Sequence, residues 1–124
     1  MEVCAFLDTG STHRNWIQPE VVANLRASKR IRKLSEKIKS DTALGVAEAD
    51  SVVELTLRCN KRSITEEFCL LPPNNSLDER VILGYELLAK EEIVKFNKER
   101  FLVIIEAKKL SKGESKPFDN LQLI

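Results

Sequence analysis

The tightest constraint on this chain is an apolar run that stops abruptly at an acid. Val3-Cys4-Ala5-Phe6-Leu7 is short and strand-compatible, and it gives way at once to Asp8-Thr9-Gly10-Ser11, residue types that populate turns. The pattern predicts a buried strand that delivers a polar loop. A second segment repeats the design: Val81-Ile82-Leu83 ends in Gly84, and Tyr85-Glu86-Leu87-Leu88-Ala89-Lys90-Glu91-Glu92 follows with good helix formers and a leucine-rich face.

Between these segments the chain is mostly strand-like. Trp16-Ile17 leads to Pro19, which suits the first turn of a helix, and Val21, Val22 and Leu25 share one face. Residues 26–39 are strongly basic, with Ile31, Leu34 and Ile38 at helical spacing, although a connecting strand fits as well; a solvated connector is the expected role. From Thr42 to Leu57 the pattern turns β-like, with a hairpin whose small-residue tip is expected within residues 44–50. A strand is expected over residues 63–71, closed by Pro72-Pro73-Asn74-Asn75. Ile93-Val94-Lys95-Phe96 and Phe101-Leu102-Val103-Ile104-Ile105 read as two further strands around a turn. The sum is a mainly β domain with one or two short helices over residues 1–107, and a loose polar tail over 108–124.

Composition narrows the function classes. A chain of 124 residues fits one modest core, and a net charge of +1 gives no electrostatic reason to expect nucleic acid as a partner. No apolar run approaches a membrane span, and Met1-Glu2-Val3-Cys4 lacks the pattern of a signal peptide. Cys4, Cys59 and Cys69 are an odd set without metal-type spacing, and His13 is the single histidine. Free thiols in a reducing, cytoplasmic setting are expected, with no metal and no cofactor. A nucleophile pair built from His13 with Ser11 or Cys4 has no support beyond sequence proximity.

The paired anchors, Phe6-Leu7-Asp8-Thr9-Gly10-Ser11-Thr12-His13 and Val81-Ile82-Leu83-Gly84-Tyr85-Glu86-Leu87-Leu88, resemble the retropepsin-like aspartic proteases of retroviruses and LTR retrotransposons. Trp16-Ile17, Leu25, the hairpin around Gly45 and the closing pair of strands extend the likeness over roughly Val3 to Ile105, with phrasing closest to the retrotransposon (Gypsy-like) enzymes. The resemblance implies a small, closed, β-barrel-like half that works as a symmetric homodimer. It implies peptide hydrolysis through water, with a polyprotein as substrate, in the cytoplasm or within virus-like particles.

That chemistry needs one carboxylate to take a proton from water and one carboxylic acid to give a proton to the scissile carbonyl. Two adjoining carboxyls cannot both ionise cheaply, so the pair holds one proton. This chain carries one Asp-Thr-Gly triplet, so the second acid must come from a second copy. The resemblance makes Asp8, Thr9 and Gly10 the catalytic loop, with Thr9 tying the two loops across the axis. It assigns substrate contact to Ser11, to the flap residues Leu44, Gly45, Val46 and Ala47, and to Gly84 beneath the loop. Trp16 and Ile17 are expected in the core.

Three features depart from the family pattern. Only a short stretch precedes Asp8, where the family usually has a further strand or hairpin. Arg14 reads as a one-residue insertion, and the flap has a single glycine, Gly45. Two alternatives therefore stand beside the enzyme: a catalytically silent dimerisation or peptide-binding module of the same fold, and a small β domain whose basic stretch contacts nucleic acid.

Overall fold

The computed structural model describes residues 1–8, 13–42, 45–59, 62–72, 79–90 and 100–107. Among them the chain is mainly β, with two short α-helices and one mixed sheet. In order these are β1 (Glu2–Leu7), β2 (Asn15–Ile17), α1 (Pro19–Asn24), a 3-10 turn (Ser28–Arg30), β3 (Arg32–Thr42), β4 (Gly45–Cys59), β5 (Arg62–Leu70), β6 (Val81–Leu83), α2 (Tyr85–Lys90) and β7 (Arg100–Glu106). The strand order is β3-β4-β5-β2-β6-β1-β7, and the end of β4 also pairs with β7.

The two anchor strands lie side by side. β1 and β6 run parallel, with Ala5 opposite Val81, Phe6 opposite Ile82 and Leu7 opposite Leu83. β7 flanks β1 on its other edge and β2 flanks β6, both antiparallel. Over Ala5–Leu7 and Val81–Leu83 the two strands are buried on both faces, which explains the apolar run there, while Glu2 and Cys4 at the start of β1 are exposed.

Side-chain alternation divides these strands between two apolar clusters. Ala5, Leu7, Ile17, Val81 and Leu83 face a cluster completed by Val21 and Val22 of α1, Leu87 of α2, Val53, Leu55 and Leu57 of β4, Phe68 of β5, and Val103 and Ile105 of β7. Phe6, Trp16 and Ile82 point the other way and are covered by Ala47, Ala49 and Val52 of β4 with Cys69 and Leu71. Trp16 and Ile17 are both fully buried, one in each cluster. The long β3–β4 hairpin thus lies against the body.

The helical spacing in residues 26–39 has a different meaning from a helix. The segment is a 3-10 turn followed by the 11-residue strand β3, with a register shift between Lys33 and Ile38. Leu34 and Ile38, four apart, fall on the same side of a strand as readily as on one face of a helix, and both pack against the second cluster. The hairpin turn also comes earlier than the polar run 48–51 suggests. Thr42 pairs with Gly45, and its hydroxyl donates to the Gly45 carbonyl at 2.6 Å, so residues 45–51 already belong to β4. Ala47 and Ala49 point inward and Glu48 and Asp50 outward, a half-buried alternation in place of a tip. Gly45 takes φ 132°, which L side chains rarely adopt.

α1 begins with Pro19 at its first turn, and just past its end Arg26 takes a left-handed φ of 57°. The Arg26 N–H donates to the Ala23 carbonyl and the Ala27 N–H to that of Val22, a Schellman closure with buried Ala27 as its apolar contact.

Candidate active site

The site is built where β1 and β6 end together. The Asp8 N–H donates to the Leu83 carbonyl at 3.0 Å, which extends the parallel ladder by one step and sets Asp8 beside Gly84. Asp8 is 2% exposed, one of few buried acids or polar residues among those described. By the alternation that turns Phe6 toward the β3–β4 hairpin, Asp8 continues on that same side.

Gly84 is fixed by space rather than by backbone angle. A Cβ added there would meet backbone atoms of Arg14: the carbonyl oxygen closest, then the carbonyl carbon at 2.7 Å and the nitrogen at 2.8 Å. Arg14 is thus a wall of the site through its main chain. The neighbouring residue, Asn15, is the fastener. Its Oδ1 accepts the Gly84 N–H at 2.9 Å and its Nδ2 donates to the Glu67 carbonyl at 3.3 Å, which ties β6 and β5 to the head of β2. Sequence reading missed Asn15, because its role depends on β2 lying between β5 and β6. Asn15→Ala would leave the buried Gly84 N–H without that acceptor and is expected to cost about 2 kcal/mol. Urea melts of the two proteins check this, and a loss below about 0.5 kcal/mol would contradict it.

Beside this point His13 and Tyr85 meet edge to face, with ring centroids 6.0 Å apart and planes at 87°. His13 also borders a depression of about 190 Å³, lined further by Arg14, Asn15, Glu66, Glu67, Cys69, Glu86 and Leu87. Burial pushes the Cys69 thiol up to about 11 from an ordinary 9.0, against the opposing charge of Arg14 and with a smaller upward push from Glu67. At pH 8 that shift makes its thiolate roughly a hundredfold scarcer than an ordinary thiol's. Iodoacetamide at pH 8 should therefore label Cys69, buried and with its thiol held up at about 11, much more slowly than exposed Cys4, as read by peptide mass spectrometry. Equal labelling of the two in the folded protein would contradict this placement.

The other expected site residues divide. Gly45 and Val46 are exposed at the start of β4, and Val46 is among the most exposed apolar residues at 57%. Ala47 is 2% exposed and packs in the cluster with Phe6, Trp16 and Ile82. Thr9, Gly10, Ser11 and Leu44 lie outside the described residues, as do the expected strand 93–96 and the tail 108–124. A larger cleft of about 450 Å³ opens between the hairpin and the end of β5, lined by Pro19, Lys37, Glu48, Asp50, Leu70, Leu71 and Pro72. Among the described residues no group of three His, Cys, Asp or Glu is placed to hold a metal ion, and no helix is long and apolar enough to cross a membrane.

No protein-family model matches the chain, and no solved structure matches it. Among curated proteins it is similar to cytochrome P450 703A2 of Oryza sativa subsp. japonica, with 32% identity over 99 residues. That alignment takes in 73% of this chain and 18% of the relative, so the chain spans under a fifth of the relative's length. A likeness of that extent assigns the chain to no family and carries no activity to it.

Proposed function

We propose that the chain is one half of a homodimeric aspartic endopeptidase of retropepsin-like fold, with Asp8 of each copy meeting at a two-fold axis. The observation that supports the reading is the parallel β1–β6 pair, which ends with buried Asp8 next to Gly84. An acid held by the main-chain ladder is positioned by the fold rather than by its own flexible side chain, which is what a shared proton between two carboxyls demands. In this reading the substrate is an extended peptide of a polyprotein, in an intracellular compartment. Thr9 links the two loops, while Gly10 and Ser11 line the path of the substrate backbone. The β3–β4 hairpin, with Gly45 and Val46 exposed near its turn, is the flap that excludes water over the bound peptide.

Sedimentation velocity combined with a peptide-library digest tests the proposal. The expected result is a dimer that cleaves peptides and is blocked by a statine-type inhibitor. A chain that stays monomeric at high concentration would count against the two-fold site. A dimer that takes up peptides without cleaving them would leave the silent module of the same fold.

A further inference from the structure

The chain is nearly neutral as a whole, but its charge is strongly segregated. Residues 26–41 hold seven of the twenty lysines and arginines and two of the nineteen acids, leaving thirteen cations against seventeen acids elsewhere. Structure turns this stretch into a surface. Arg26, Lys29, Arg30, Arg32, Lys33, Lys37 and Lys39 are all exposed, running from the end of α1 through the 3-10 turn and along β3. Among the described residues, β3 stands at one end of the strand order and pairs with β4 alone. With Ile38 packed against the second cluster, Lys37 and Lys39 on either side of it face outward, and Lys33, before the register shift, is exposed as well. Among the described residues, the salt bridges in this stretch are Arg32 with Glu67 at 3.0 Å and Lys37 with Glu48 at 3.2 Å.

We infer that this ribbon is a binding surface for the phosphate backbone of single-stranded nucleic acid. Spacing favours it: Lys37 and Lys39, alternate residues of β3, lie about 6.7 Å apart, comparable with the step between successive phosphates of an extended single strand. An acidic peptide added to the strand edge is the weaker fit. The register shift between Lys33 and Ile38 interrupts the ladder, and bulges and lysines are devices that discourage edge pairing. No aromatic residue lies in residues 26–41 to stack on bases, so recognition is through charge and independent of sequence. The inference stands on charge and placement alone and does not rest on the peptidase reading.

Fluorescence anisotropy with a labelled oligouridine of about twenty nucleotides, titrated with the full chain across a salt series, tests it. Neutralising three or four phosphates predicts a slope of log affinity against log salt of about −2 to −3. The double variant Lys33→Glu/Lys39→Glu, both on an exposed strand, should bind at least about tenfold more weakly, with a slope shallower by about 1.4. Arg58→Gln, which removes a cation outside this segment, should leave binding unchanged. No binding at low salt, or equal loss in Arg58→Gln and the double variant, would overturn the inference. Equal affinity for oligoglutamate of matched charge would assign the surface to an acidic protein instead and overturn it as well.

Discussion

Asp8→Asn is expected to abolish peptide cleavage, lowering kcat/KM by at least about 1,000-fold, while leaving the sheet intact. Asparagine has nearly the shape of aspartate, so it fills the same space at the end of β1, and the bond from the residue 8 N–H to Leu83 is a main-chain bond that the substitution does not touch. The lost function is the carboxyl. An amide cannot take a proton from water, and in the proposed dimer both copies would change at once. Far-UV circular dichroism should be unchanged, and statine-type inhibitor binding should fall with activity. Cleavage that survives in Asp8→Asn would remove Asp8 from the mechanism.

Gly84→Ala is expected to cost at least about 4 kcal/mol, enough to lower the melting temperature by more than about 15 °C. The added methyl lands on main-chain atoms of Arg14 rather than on a side chain that can swing away. Arg14 has little freedom to retreat. Its neighbour Asn15 is bonded to both Gly84 and Glu67, and β2 is paired on one side to β5 and on the other to β6. Gly84 itself follows Val81, Ile82 and Leu83, all three fully buried, so β6 cannot shift without opening both clusters. Since total stability for a domain is about 5–15 kcal/mol, a cost of this size threatens folding outright. A thermal melt decides it; a change of less than about 3 °C would show that the Arg14 main chain yields more easily than the pairing implies.

What could be read from the chain follows from where the forces are local. The anchors were legible because a strand buried on both faces must be continuously apolar, and the end of such a run is conspicuous when an acid or a glycine follows. Pro19 and the shared face of Val21 and Val22 likewise announced α1. Residues 26–39 were ambiguous because Leu34 and Ile38 satisfy a helix and a strand alike, and tertiary pairing with β4 decides between them. The turn of the hairpin was placed too late, since Glu48 and Asp50 look like a polar tip until Ala47 and Ala49 are seen to bury between them. Asn15 and the Arg14 main chain had no local signal. Their parts in the site arise only when β2 is set against β6, and Arg14, which reads as an inserted residue, becomes the wall that makes Gly84 necessary. The net charge concealed the basic ribbon in the same way, because a sum over the chain carries no information about which side chains the sheet gathers on one edge.

In the proposed enzyme two copies of Asp8 share one site, and mixing intact with inactivated chains tests this. Wild-type chain and Asp8→Asn are combined at fixed total concentration, left to exchange subunits, and assayed on one cleaved peptide. If two intact chains are needed, activity follows the square of the wild-type fraction, so an equal mixture retains about a quarter of the full rate. About a half, falling in simple proportion to the wild-type fraction, would show that each chain acts alone and would contradict the shared site.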